Sequence, residues 1–215
     1  MIQNKPSDTN TLLLHSCCAP CSSAMVEFLM QNGITPVFFY YNPNIHPRRE
    51  YEIRKSENKR YAESLGLEFI DMDWTHREWL LKTLKWRDEP ERGERCFQCF
   101  LIRMKATAEY AHKNGYSMFA TTLATSRWKN LEQINKAGQE AAALFPGVSF
   151  WENNWRKGGL ADRQREIIQQ YNFYRQTYCG CEYALVNNYQ SCRLCRAEDD
   201  KKSSGKCQFQ KAVNS

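Results

Sequence analysis

Seven of the chain's ten cysteines fall into three tight groups: Cys17-Cys18-Ala19-Pro20-Cys21, Cys96-Phe97-Gln98-Cys99 and Cys179-Gly180-Cys181. Clustered thiols in a reducing compartment hold metal or do redox work more often than they build a disulfide framework. A Cys-x-x-Cys pair at the start of a helix can place both sulfurs on one metal centre. The helix N-terminus there favours the thiolate through its partial positive charge and free N–H groups. Adjacent cysteines such as Cys17 and Cys18 chelate one small tetrahedral ion poorly and reach two irons of a cluster more easily. Cys17, Cys18, Cys96 and Cys99 together supply the thiolate set of a 4Fe–4S cluster. A four-cysteine zinc site uses the same atoms, so spacing alone leaves iron–sulfur, zinc and unligated thiols open.

The Cys-Gly-Cys group is a different object. Two cysteines separated by one residue reach disulfide spacing only in a small, strained ring, and strained disulfides are the labile or catalytic ones. Gly180 removes the steric penalty of the tight turn. Cys179 and Cys181 could cycle between dithiol and disulfide, releasing two electrons, or act as further metal ligands. Cys21 is either a buried residue of the first helix or a ligand to a second metal. Cys192, Cys195 and Cys207 could form a loose accessory zinc site or remain free thiols; no histidine lies near them to complete a ligand set.

Elements must bring these groups together. Residues 11–16 (TLLLHS) and 35–41 (TPVFFYY) read as short buried strands, with a helix over 19–32 between them. Pro20 suits a first helical position and Gly33 the residue past the end. A long charged segment follows over 48–65, then a strand over 67–71. Residues 96–114 give the clearest helix, with Phe97, Phe100, Leu101, Met104, Ala108 and Ala111 at helical spacing. A strand over 118–123, a helix over 129–144, a short strand over 148–151 and a helix over 161–172 complete the pattern. Alternating strands and helices predict an α/β fold, a Rossmann-like parallel sheet with helices on both faces. Such sheets hold ligands beyond the carboxyl ends of their strands, where the first cysteine group falls. Residues 1–185 are expected to form one catalytic domain, and the polar residues 186–215 an extension or mobile tail.

Composition narrows the class. The chain of 215 residues is 42% hydrophobic and 13% aromatic, which suits one folded domain. No apolar run approaches the roughly 20 residues that span a bilayer, and the start shows no signal pattern, so a cytoplasmic protein is expected. The net charge of +6 is modest. Its grouping adds something: Arg48, Arg49, Arg54, Lys55, Lys59 and Arg60 cluster, as do Arg156, Lys157, Arg163 and Arg165. With Trp151, Trp155 and Tyr171 nearby, these groups are compatible with phosphate contacts and base stacking on RNA.

Five blocks carry a resemblance. LHSCCAPCSS (residues 14–23), FYYNPNIHPRREYEIRKSE (39–57), DEPERGERCFQCFLIRM (88–104), TTLATSRWKN (121–130) and YRQTYCGCEYAL (174–185) together resemble the cobalamin-independent epoxyqueuosine reductase family, QueH. The resemblance spans residues 11–185. It implies an adenine-nucleotide-hydrolase-like fold and reduction of epoxyqueuosine to queuosine at the wobble position of tRNA, the last step of that modification. It further implies a 4Fe–4S cluster on Cys17, Cys18, Cys96 and Cys99, a redox-active pair at Cys179 and Cys181, and a second, mononuclear iron. Members of the family differ at the position of Cys21, where an Asp can stand, which makes Cys21 the candidate ligand to that iron. The physiological electron donor is left unidentified.

The chemistry also needs a proton donor. Asp88, Glu89 and Glu91 precede the Cys96 helix, His15 and His46 lie near the expected loops, and Asn42, Asn44, Lys129 and Asn130 sit at expected strand ends. Two other functions use parts of the same pattern. A cluster-containing, nucleotide-dependent tRNA-thiolating enzyme would want a glycine-rich phosphate loop after the first strand, where CCAPCSS has no glycine. A zinc-stabilised RNA-binding module would carry the same cysteines without redox chemistry.

Overall fold

The computed structural model describes residues 5–185; Cys192, Cys195, Cys207 and the expected C-terminal extension lie outside the described residues. The strands are β1 (Thr11–His15), β2 (Thr35–Tyr40), β3 (Phe69–Asp71), β4 (Met118–Thr121) and β5 (Ser149–Phe150). The helices are α1 (Ala19–Gln31), α2 (Arg48–Ser64), α3 (His76–Thr83), α4 (Glu94–Lys113), α5 (Leu131–Ala142) and α6 (Leu160–Gln170). The sheet runs β3-β2-β1-β4-β5 with every pairing parallel. The α/β, Rossmann-like fold read from the sequence is the one observed.

Strand order explains where the site must be. The chain moves outward from β1 to β3, then crosses back to β4 and on to β5. Right-handed crossovers put α1 and α2 on one face and α4 and α5 on the other. The packing agrees: α1 lies against α2 and α6, and α4 against α5 and α3. The connections therefore diverge between β1 and β4, and the crevice at their carboxyl ends is the switch point where such folds bind ligands. Leu12, Leu13 and Leu14 are fully buried in β1, as are Met118, Phe119 and Ala120 in β4. A strand covered on both faces is apolar along its whole length, which is why these segments read as continuous apolar runs.

The charged segment over 48–65 is the helix α2. Its buried residues Tyr51, Arg54, Asn58, Tyr61 and Ala62 recur at helical spacing beneath a charged outer face. Helix α3 was not legible in sequence, because only Trp79 and Thr83 of its eight residues are buried. Among the described residues no helix is long and apolar enough to cross a membrane.

Helix α5 approaches β5 closely at Gly138, where a Cβ would lie 2.5 Å from the Phe150 ring. Overpacking of this kind costs about 1–3 kcal/mol, against the roughly 1 kcal/mol that a helix gains from Gly→Ala. Contact with ring carbons this close places Gly138→Ala at the costly end. The net cost of about 2 kcal/mol should lower its thermal unfolding midpoint by about 4–8 °C, at about 2–4 °C per kcal/mol for a chain of this size, read by circular dichroism.

Candidate active site

β1 ends at His15, and the next two residues turn into α1. The Cys17 N–H donates to Thr122 Oγ1 at 3.2 Å, which ties the turn to the end of β4. Cys18 is the N-cap of α1 and Cys21 lies in its first turn. The sulfurs of Cys17, Cys18 and Cys21 all lie within 4.8 Å of one another and all three residues are buried. Cys17 and Cys18 Sγ are 3.7 Å apart. Thiol hydrogen bonds from Cys18 and Cys21, aided by the charges of Lys129 and Arg103, hold the Cys17 thiol well below its usual range despite burial. Burial and the neighbouring Cys17 push the Cys18 thiol up. The hydrogen bond to Cys17 is the main cause that lifts Cys21 to about 12. Three sulfurs thus share one favoured thiolate at a helix N-terminus, beside two cations.

The second wall is α4. Cys96, Cys99 and Arg103 follow one another at helical spacing on one face; Cys99 and Arg103 are buried, and Cys96 half-buried. Burial raises Cys96 to about 11, against a hydrogen bond from the Arg92 N–H; burial raises Cys99 too. Arg103 reaches under the sheet rim. Its Nε donates to His15 Nε2 at 3.3 Å and its Nη2 to Asn42 Oδ1 at 2.5 Å. Asn42 Nδ2 in turn donates to the Ser16 carbonyl at 2.9 Å, just before Cys17. His15 Nδ1 lies 2.8 Å from Thr121 Oγ1, and its Nε2, besides facing Arg103, lies 3.2 Å from the Tyr41 carbonyl. Burial first, and Arg103 second, depress His15 to about 3. His15 is a neutral support for Arg103, which removes it from the candidate proton donors.

The third wall is the segment that ends the described chain. Arg54, buried and ion-paired to Glu50 at 2.6 Å, donates to the carbonyls of Cys179 and Tyr178, each at 3.2 Å. Gly180 has φ +101, and a Cβ there would lie 2.9 Å from Arg54 Nη1; only glycine allows this docking. Gln176 Nε2 donates to Cys18 Sγ at 3.0 Å. Cys179 is exposed and Cys181 buried, both as free thiols.

These walls enclose a cavity of about 840 Å³, and Cys21, Cys96, Cys99, Cys179 and Cys181 all line it. Cys17 and Cys179 line a smaller recess with Arg103, Lys129 and Gln176. The three cysteine groups of the sequence therefore meet at one rim of the sheet. Buried thiols with a favoured thiolate fit a soft metal or cluster, and the Cys17, Cys18 and Cys21 triad alone could bind one.

The family profile for epoxyqueuosine reductase QueH matches residues 12–187. A relative from Histophilus somni named epoxyqueuosine reductase QueH is 49% identical over 180 residues, covering 84% of this chain and 74% of its own. One of the same name from Acinetobacter baylyi is 48% identical over 180 residues, covering 84% and 83%. A third, from Thermotoga maritima, is 34% identical over 179 residues, covering 82% and 91%. The chain belongs to the epoxyqueuosine reductase QueH family.

Within this QueH-family site, the other sequence candidates separate. Glu91 lines the cavity. Glu89 Oε2 instead accepts from the Glu94 N–H at 3.3 Å, at the start of α4, and the Asp88 side chain is 91% exposed beside Arg87. Asn130 caps α5 through Glu132 and Gln133 N–H groups. Lys129 lines both cavities, and Asn44 the smaller one. His46 belongs to a separate cluster with His76 and Glu182.

Of the RNA-contact residues read from sequence, Arg156 and Arg165 line the cavity, while others need correction. Trp151 and Trp155 are 1% and 2% exposed and pack edge to face at 5.1 Å in the core, so neither ring can stack on a base. Arg54 is buried under Cys179, and Arg163 pairs with Glu27 at 2.7 Å. Arg48, Lys55, Lys59 and Arg60 pair with carboxylates on or near α2. The exposed aromatic at the cavity is Trp128, at 69% exposure, with the Arg127 guanidinium 4.8 Å from its ring. Sequence reasoning missed Arg103 as well, although it continues the helical face of Cys96 and Cys99 by one turn.

Proposed function

We propose that the chain reduces epoxyqueuosine to queuosine at the wobble position of tRNA, with a 4Fe–4S cluster on Cys17, Cys18, Cys96 and Cys99. The family makes it an oxidoreductase acting on epoxyqueuosine; the cluster, the tRNA and the division of labour among cysteines are our reading. The observation that carries it is the convergence of five cysteines from three distant groups on one cavity. A bound cluster supplies electrons one at a time, and a second iron at Cys21 would polarise the epoxide oxygen.

Cys179 and Cys181 supply the electron pair. Their two S–H bonds break and one S–S bond forms, releasing two protons and two electrons. The epoxide loses both C–O bonds, gains a C=C bond, and its oxygen leaves as water with those two protons. An external electron donor then restores the dithiol. The charges of Lys129 and Arg103 favour the Cys17 thiolate, and Glu91 is the carboxyl in the cavity able to relay a proton.

The test is anaerobic reconstitution with iron and sulfide, followed by incubation with epoxyqueuosine-containing tRNA and a chemical reductant. Queuosine should appear by mass spectrometry. Cys179→Ser should keep the brown colour and lose the product; bleaching of that variant would assign Cys179 to the metal instead. A colourless protein that holds only zinc after anaerobic preparation would favour the zinc-stabilised RNA-binding module, and turnover that required ATP would favour the thiolating class.

Substrate RNA must present its loop to the cavity, whose lining includes Arg92, Arg127, Arg156, Arg165 and Arg175. Trp128 is the exposed ring on which a flanking base can stack, a contact worth about 1–3 kcal/mol. Trp128→Ala should raise KM for the tRNA by about 5- to 150-fold on that basis, with iron content unchanged. An unchanged KM would remove Trp128 from the RNA interface.

A further inference from the structure

The loop after β2, the start of α3 and the residue after Cys181 meet in a second cluster that the reductase chemistry does not use. A ring nitrogen each of His46 and His76 and a carboxylate oxygen of Glu182 lie within 4.8 Å of one another, all half-buried. His76 Nδ1 stands 2.7 Å from the Pro43 carbonyl. A carbonyl only accepts, so Nδ1 carries the ring proton and donates it. In the neutral ring Nε2 is then a bare lone pair, and it faces Glu182 Oε2 at 3.1 Å. Two acceptors at that distance need a cation or a second proton. His46 adds a second imidazole, whose Nδ1 is buried with no hydrogen-bond partner among the described residues. Trp74 and Trp79 stack on His76 at 5.1 and 5.7 Å and limit its orientation.

We propose that His46, His76 and Glu182 bind a divalent transition-metal ion of the zinc or ferrous class, separate from any metal held by the cysteines. Two imidazoles and a carboxylate form a donor set for such ions, with a position left open. Ligand atoms about 2.1 Å from a shared ion lie about 3.0 Å apart at a right angle and about 3.4 Å apart at a tetrahedral one. The 3.1 Å between His76 Nε2 and Glu182 Oε2 falls inside that range. Two imidazoles on one tetrahedral ion have ring centroids about 5 Å apart, and those of His46 and His76 are 5.1 Å apart. Donation of the other ring N–H to a backbone carbonyl, as His76 makes to Pro43, is the usual support of a metal-bound histidine.

Position gives the ion a role. The His46 N–H donates to the Gly180 carbonyl at 2.8 Å, Ile45 bridges Cys181, and Glu182 follows directly. A metal here staples the Cys179-Gly180-Cys181 segment to the loop after β2, without touching the cavity thiols.

Full-length protein, stripped of metal with a chelator and kept anaerobic, is titrated with Co2+ and followed by absorption. The cysteine site gives an intense thiolate-to-cobalt band. The proposed site gives a second binding event with weak visible bands and no sulfur contribution. Glu182→Gln, in which the amide can still hydrogen-bond His76, should weaken the sulfur-free event by more than the about 10–100-fold cost of an outer-shell change. It should leave the sulfur band intact, and His46→Ala should do the same; circular dichroism checks that both variants fold. The proposal is overturned if the parent shows only sulfur-ligated cobalt, or if both folded variants bind cobalt as the parent does. Either result leaves the cysteine site, reported by its own band, untouched.

Discussion

Cys17→Ser should abolish both the iron-dependent absorbance and the conversion of epoxyqueuosine. Cys17 bears the favoured thiolate of the triad: it receives hydrogen bonds from the Cys18 and Cys21 thiols and is stabilised by the nearby Lys129 and Arg103 charges. A serine hydroxyl fits the space and can keep the hydrogen bond with Thr122, so the fold should survive. It does not ionise near neutrality and is a hard oxygen donor where a soft sulfur is wanted. Loss of a residue that merely supports a ligand costs about 10–100-fold in affinity or activity; loss of the thiolate itself should exceed that. Iron content per chain, absorbance near the sulfur-to-iron bands and queuosine yield measure it together. A Cys17→Ser protein that stays brown and active would remove Cys17 from the metal site.

Arg103→Leu should be the most damaging substitution away from the cysteines. Arg103 is 2% exposed, and its guanidinium satisfies His15 Nε2 and Asn42 Oδ1 while its charge faces the thiols. Leucine leaves two buried acceptors without a donor, each costing about 1–3 kcal/mol. The total of about 2–6 kcal/mol corresponds to a fall of about 4–24 °C in the unfolding midpoint at the slope expected for this size. Asn42 holds the Ser16 carbonyl, so the damage should pass directly to the loop that carries Cys17. Arg103→Lys keeps the charge but not the two-armed geometry; it should retain part of the metal and lose the stability increment. Equal stability of Arg103→Leu and the parent would refute the supporting role.

Much of this was legible without coordinates. The buried runs of β1, β2 and β4 announce a parallel sheet because both of its faces are covered, and apolar character then persists along the strand. The cysteine groups announce metal or redox chemistry by residue type and spacing. Short-range signals work here because helix and strand periods act over a few residues: the 3.6 repeat of α4 sets Cys96 and Cys99 on one face, and Pro20 marks the start of α1.

What lay beyond the sequence depended on contacts between distant residues. Trp151 and Trp155 looked like base-stacking rings beside basic residues, but packing on each other and of Trp155 against Phe28 of α1 put both in the core. Arg54 looked like one charge of a surface cluster; the docking of residues 178–180 buried it and made it their anchor. Trp128, Gln176 and Arg103 gained their positions only when β1 and β4 came side by side and their loops diverged. Local propensity and thiol chemistry belong to the sequence itself, because they act through neighbours along the chain. Which sulfurs share a cavity, and which charges face them, was decided by the strand order, because only the crossover at β1 and β4 brings residues over a hundred positions apart to one rim.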